Sequence, residues 1–148
     1  MDIVPLIAIS LMSALSRVLF QTDKPEMIKA KLKQETEWGE KIYGGKTWTK
    51  DEWGKIDNGI VTLFHGTSPY DLPSVIKTGL KKSQSNEEDL YRGVWFSVTP
   101  YLAFFFNDVC LKVRVPISWV GDAGDGVVVE RNIPPRMIVN HLHINDWH

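Results

Sequence analysis

The 148-residue chain has one cysteine, Cys110, which excludes an intramolecular disulfide framework and a cysteine-ligated zinc site. Stability therefore has to come from a packed core. Charge of one sign is also lacking: 17 Lys and Arg face 18 Asp and Glu, a formal net charge of −1. That balance excludes an overall electrostatic grip on nucleic acid or an acidic membrane, while leaving room for a local basic patch. The apolar stretch from Ile3 to Leu15 is too short to cross a bilayer core of about 30 Å, and it lacks the basic residues that open a signal peptide. No transmembrane segment and a cytoplasmic location are the expectation. Gly44-Gly45 and the Gly121 to Gly126 segment have neither Walker nor dinucleotide-binding spacing. No Gly-x-Ser-x-Gly nucleophile elbow occurs either.

Aromatic side chains are what the chain has in excess, with six Trp, six Phe and four Tyr. They can fill a core, or they can line a pocket that grips flat rings. The other proportions, 43% hydrophobic and 24% charged, are those of an ordinary globular protein, and the length suits one compact domain.

Leu6, Ile9, Met12, Leu15, Leu19 and Phe20 recur at helical spacing, which predicts an amphipathic helix packed on the domain. Asp23 suits the N-cap of a second helix, from Met27 to about Trp38. It carries Lys29, Lys31, Lys33, Glu35 and Glu37, its lysines read as a solvated face rather than a binding stripe, and Gly39, Gly44 and Gly45 break it. Turns and one short helix are expected between Tyr43 and Gly59. From Ile60 the pattern changes to strands. Ile60 to Phe64 is β-rich and ends in His65-Gly66-Thr67; a helix from Leu72 to Thr78 closes on Gly79; Lys81 to Tyr91 is polar and loop-like. Val94 to Ser97 reads as a strand, and Pro100 opens a helix through about Asn107. Cys110 to Val115 sets Leu111, Val113 and Val115 against Lys112 and Arg114, the alternation of a half-buried strand. Val127 to Val129 is a buried strand, Ile133-Pro134-Pro135 a turn, and Met137 to Leu142 a final strand. The class is α+β.

Two clusters carry possible chemistry. In Phe64-His65-Gly66-Thr67 an imidazole, a backbone without a Cβ and a hydroxyl leave one strand end together, able to meet one small ligand. Further on, Gly93-Val94-Trp95-Phe96-Ser97 is followed by Ala103-Phe104-Phe105-Phe106, and aromatics from a strand and a helix can face each other across a cleft.

In this order, His65-Gly66-Thr67, Thr78-Gly79-Leu80, the polar loop, Gly93 to Ser97 and Ala103 to Phe106 resemble the NAD-binding half of mono-ADP-ribosyltransferases of the diphtheria-toxin and poly(ADP-ribose) polymerase type. The resemblance implies a split β-sheet core with flanking helices over residues 59–148, with residues 1–58 as a helical and loop segment packed on it. It implies NAD as co-substrate, no metal, and an unidentified macromolecular acceptor, protein or nucleic acid; with water as acceptor the protein would be an NAD glycohydrolase. His65 would hydrogen-bond the adenosine ribose, and Gly66 would hold the nicotinamide carboxamide through its backbone. Trp95 and Phe106 stand where the family has two ring-sandwiching tyrosines, keeping the faces and losing the hydroxyls. Ser97 would lie near the ring, and Thr67 would support the loop.

The family also places a glutamate near a late strand, on the nicotinamide ribose, where a carboxylate stabilises charge developing on the sugar. Family spacing counted back from Ile133 points to Asp125. Glu130 has the right residue type at the far end of the strand, beside Arg131, and a third outcome is that neither serves and NAD is bound without cleavage. His141, His143 and His148 read as a surface strand near the end of the chain rather than a metal site. A binding module without chemistry, and an interaction protein using the first helix and exposed tryptophans, are the other readings.

Overall fold

A computed structural model of the chain describes residues 23–82 and 93–148. The helix expected between Ile3 and Phe20 lies outside the described residues, as does most of the expected polar loop. Helix α1 (Lys24–Tyr43) starts where Asp23 accepts a hydrogen bond from the Glu26 amide at 3.2 Å, with Pro25 in its first turn. It runs past Trp38 and through Gly39, against the expected break, because the Tyr101 ring packs on the bare Gly39 backbone. It ends at Gly44.

Strand β1 (Ile56–Asp57) pairs with β2 (Ile60–Thr67) across the Asn58-Gly59 turn, β2 with β4 (Val109–Pro116), and β4 with β7 (Ile138–His143), all antiparallel. A second antiparallel sheet holds β3 (Val94–Phe96), β6 (Val127–Val129) and β5 (Val120–Asp122) in the order β3-β6-β5. The two sheets meet at a bridge between Phe64 and Ser97, whose amides and carbonyls exchange hydrogen bonds of 2.8 Å. Two short helices, α2 (Leu72–Thr78) and α3 (Pro100–Phe106), follow β2 and β3. The described residues thus form an α+β fold of three helices and two antiparallel sheets.

Both faces of the central β2–β4 pair of the larger sheet are largely covered. Val61 and Leu63 of β2 and Leu111, Val113 and Val115 of β4 face a core shared with Met27 and Ile28 of α1 and with Val94, Phe96, Val127 and Val129. On the opposite face Phe64 and Cys110 join Trp38, Trp48, Trp53, Tyr101, Phe104 and Trp147. Most of the aromatic excess therefore fills a second core. No tryptophan is exposed: four are buried, and Trp95 and Trp119 are half-buried. The exposed tryptophans required by the interaction-protein reading are absent. Burial also pushes the Cys110 thiol well above its usual range, so it packs as a small apolar group.

Two sequence expectations need correcting on charge. β4 is not half-buried with both its charged residues outward: Arg114 is exposed, but Lys112 is buried and meets Glu52 at 2.6 Å. The solvated face expected of the α1 lysines holds for Lys29 and Lys33 but not for Lys31, which like Glu35 is 1% exposed. These two are one helical turn apart on the face that also buries Met27, Ile28 and Trp38. Lys31 reaches Asp122 Oδ1 at 3.0 Å and the Gly124 carbonyl at 2.8 Å. Glu35 accepts from the amides of Val98 (3.2 Å) and Thr99 (3.1 Å) and from the Thr99 hydroxyl (2.9 Å).

Burial raises the Glu35 carboxyl to about 7, although its three hydrogen bonds and Lys31 pull the other way. Burial likewise holds the Lys31 ammonium below its usual value against the pull of Asp122, Glu35 and Asp125. Between about 4.5 and about 7 the folded chain keeps a proton on Glu35 that the unfolded chain releases, so this group's contribution to stability falls as pH rises through that window. Denaturant titrations should show wild type losing stability relative to Glu35→Gln over that range. The comparison isolates Glu35 from His65, whose buried neutral form acts in the opposite direction below 6.5.

Candidate active site

A cleft of about 440 Å³ opens where the two sheets meet, lined by His65, Gly66, Trp95, Phe106, Asn107, Ala123, Gly124 and Asp125. Four segments build it: the end of β2, the middle of β3, the C-terminal end of α3 with Asn107, and the β5–β6 loop. The strand bearing His65 runs on to Thr67 instead of stopping at Phe64, because β4 continues to pair with it: His65 lies opposite Leu111 and Gly66 opposite Cys110.

Hydrogen bonds join three of these segments, β2 to β3 and β3 to the β5–β6 loop. His65 Nδ1 lies 2.6 Å from the Trp95 carbonyl. A carbonyl only accepts, so Nδ1 carries the proton and Nε2 keeps its lone pair as an acceptor. Burial holds the imidazole below its usual range, against that bond, which keeps the ring neutral near pH 7. The Trp95 indole N–H in turn donates to the Asp125 carbonyl. Gly126 makes room for the indole: its φ is +75°, and a Cβ there would sit 2.8 Å from Trp95 Cε2 and Cζ2.

Gly66 is bare for a packing reason that the sequence does not disclose. A Cβ would fall 2.6 Å from the Ala103 carbonyl oxygen and 2.7 Å from Asn107 Nδ2, at the end of α3. Gly66→Ala should therefore push α3 off β2 and cost about 2 kcal/mol by thermal or chemical denaturation.

The two ring faces reach the cleft, but not as a sandwich. Trp95 and Phe106 meet edge to face, with centroids 6.0 Å apart and planes at 89°. A flat ring stacked between them would need parallel faces about 7 Å apart, two carbon–carbon contacts of about 3.5 Å. Phe106 is 57% exposed and contacts Phe105 edge-on at 5.0 Å, so it sits at the rim.

The remaining expected residues divide clearly. Asp125 lines the cleft; Glu130 is exposed beyond β6 and does not, while its neighbour Arg131 lies over the Trp119 ring at 4.2 Å. Ser97 is fully buried and donates to the Thr99 carbonyl at 2.7 Å, so its hydroxyl braces the turn into α3 instead of facing a ligand. Thr67 is buried in the strand, paired with Val109. The sequence reading missed Asn107, Ala123 and Gly124 in the lining, and Lys31, Glu35 and Asp122 behind it. The available signal was Lys31 and Glu35 sharing the helical spacing of Met27, Ile28 and Trp38, an opposite-charge pair on an apolar face.

Among the described residues no group of three or more His, Cys, Asp or Glu could hold a metal ion. Among them, too, no helix is long and apolar enough to cross a membrane. Comparison with known protein families, with curated proteins and with solved structures finds no match.

Proposed function

We propose that the chain is an NAD-dependent ADP-ribosyltransferase that breaks the nicotinamide–ribose bond and passes ADP-ribose to a macromolecular acceptor. One observation carries the reading: His65, Gly66, Trp95, Phe106 and Asp125, five of the eight residues that the family resemblance offers for the NAD site (Thr67, Ser97 and Glu130 being the others), come from four separate segments and line one cleft. Its volume lies in the range of small-molecule sites, about 300–1,000 Å³. Two antiparallel sheets joined at Phe64 and Ser97 also support the split-sheet core implied by the resemblance.

Each residue then has a task that its geometry suits. His65 Nε2 accepts from a ribose hydroxyl, with its tautomer fixed by the Trp95 carbonyl. Trp95, tied to the loop through its indole N–H, offers a fixed face to the pyridinium, and Phe106 turns at the rim to cover it. Asp125, chosen over Glu130 by its place in the lining, stabilises the positive charge that spreads onto the sugar. The C–N bond breaks with its electron pair going to the pyridine nitrogen, so neutral nicotinamide leaves. The acceptor nucleophile bonds to the anomeric carbon and gives up its proton to solvent.

Incubation with NAD labelled in the adenylate part and a whole-cell extract tests transfer and the acceptor class together: label is expected on protein or nucleic acid, and none on either overturns the transferase reading. His65→Ala should weaken NAD binding about 10-fold by calorimetry, the worth of one hydrogen bond of about 1.4 kcal/mol, with the thermal transition retained. Equal affinity rejects the role of His65. The edge-to-face ring contact favours one second reading, a module that binds NAD or ADP-ribose without cleaving it. Calorimetric NAD binding without nicotinamide release selects that reading.

A further inference from the structure

We infer that Lys31 of α1 is a positioning residue for Asp125, acting from behind the cleft through the β5–β6 loop; the catalytic part of this inference rests on the function proposed above. Four contacts carry it. The Lys31 ammonium, 1% exposed, donates both to Asp122 Oδ1 at 3.0 Å and to the Gly124 carbonyl at 2.8 Å. Asp122 Oδ1 also accepts from the Gly124 amide at 2.8 Å, so one buried cation closes the loop on itself from below. From the cleft side, the Asp125 carbonyl accepts the Trp95 indole N–H. Asp125 thus follows a loop position gripped by α1 and is itself held by Trp95 through its carbonyl.

β5 and β6 pair from Asp122 to Val127, and between them the Ala123 amide reaches the Gly126 carbonyl only at 3.4 Å. A buried ammonium is an expensive way to fasten a turn, since a well-packed apolar residue would serve stability as well or better. Its position accounts for the charge: it fixes the backbone of Gly124 and places a cation behind the Asp125 carboxylate, with which it interacts electrostatically. A segment outside the family resemblance thereby becomes part of the site.

The test pairs a conformational readout with a kinetic one. In ¹H–¹⁵N spectra of the full chain, with the Trp95 indole signal assigned by its loss in Trp95→Phe, Lys31→Met should shift that signal while leaving the Trp119 indole in place. With NAD as substrate, Lys31→Met should lower kcat for nicotinamide release about 10-fold with KM within about 2-fold, and adding it to Asp125→Asn should cause little further loss. If Lys31→Met does not fold, Lys31→Met/Asp122→Asn, which removes both members of the pair together, carries the same measurements. An unmoved Trp95 signal in a folded variant overturns the inference, as do losses that multiply in full with those of Asp125→Asn. A wild type that releases no nicotinamide overturns the enzyme reading instead, and the indole signal still decides whether Lys31 holds the loop.

Discussion

Asp125→Asn is expected to slow nicotinamide release at saturating NAD about 100-fold, with NAD affinity changed by less than about 3-fold. The amide keeps the shape of the carboxylate and loses its charge. Charge is what the step requires: as the C–N bond lengthens, the ribose becomes cationic, and a preorganised opposite charge at that place contributes about 100-fold or more to the rate. The ground state gains far less from it, so the loss falls on kcat rather than on binding. Glu130→Gln is the matched control, because Glu130 is exposed and outside the cleft. It should leave the rate within about 2-fold. Interchanged effects of the two substitutions would return the catalytic role to Glu130.

The second large effect is on stability. Glu35→Ala should destabilise the fold by about 4 kcal/mol, lowering Tm by roughly 10 °C. Glu35 is 1% exposed and is the acceptor for the Val98 and Thr99 amides and the Thr99 hydroxyl. Removing it strands these buried donors at about 1–3 kcal/mol each, partly offset by local relaxation, and leaves a small cavity. The affected turn leads from β3 into α3, the helix that carries Phe106 and Asn107 to the cleft. Glu35→Gln keeps the shape and one acceptor oxygen and should lose less than half as much. A Glu35→Ala loss below about 1 kcal/mol, measured by denaturant titration, would show that these bonds do not hold α1 to the sheet.

Local pattern carried much of the architecture. The capping by Asp23, the β-rich run from Ile60, Pro100 at the start of a helix and the buried Val127 to Val129 strand are all effects of neighbours in sequence, and the structure has them. Where the reading failed, the deciding partner was distant. Lys31 looks solvated until Asp122, 91 positions away, comes beside it, and the partner that buries Glu35 on the same helix face, Thr99, is 64 positions away. Alternation marks one face of β4 polar and so points Lys112 outward, but Lys112 is covered there and Glu52 supplies the counter-charge. β5 was hidden because Val120-Gly121-Asp122 is short and glycine-bearing, and only pairing with β6 makes it a strand.

The site was legible to a similar depth. His65, Gly66, Trp95, Phe106 and Asp125 were singled out from ordered motifs, and the cleft brings them together. Ser97 was misplaced because it lies just past β3, in the buried bridge with Phe64, where its hydroxyl donates to the Thr99 carbonyl. The angle between Trp95 and Phe106 was beyond any motif, since it depends on the Asp125 carbonyl gripping one ring and Phe105 crowding the other.

An NAD titration followed by ¹H–¹⁵N spectra of the full chain tests directly whether this cleft is the NAD site. The Gly66, Asn107, Gly124 and Asp125 amides and the Trp95 indole should move together and saturate with one dissociation constant. The contradicting result is a spectrum that NAD leaves unchanged, or shifts gathered instead around Ile76, Val139 and His141 at the second cavity of about 290 Å³.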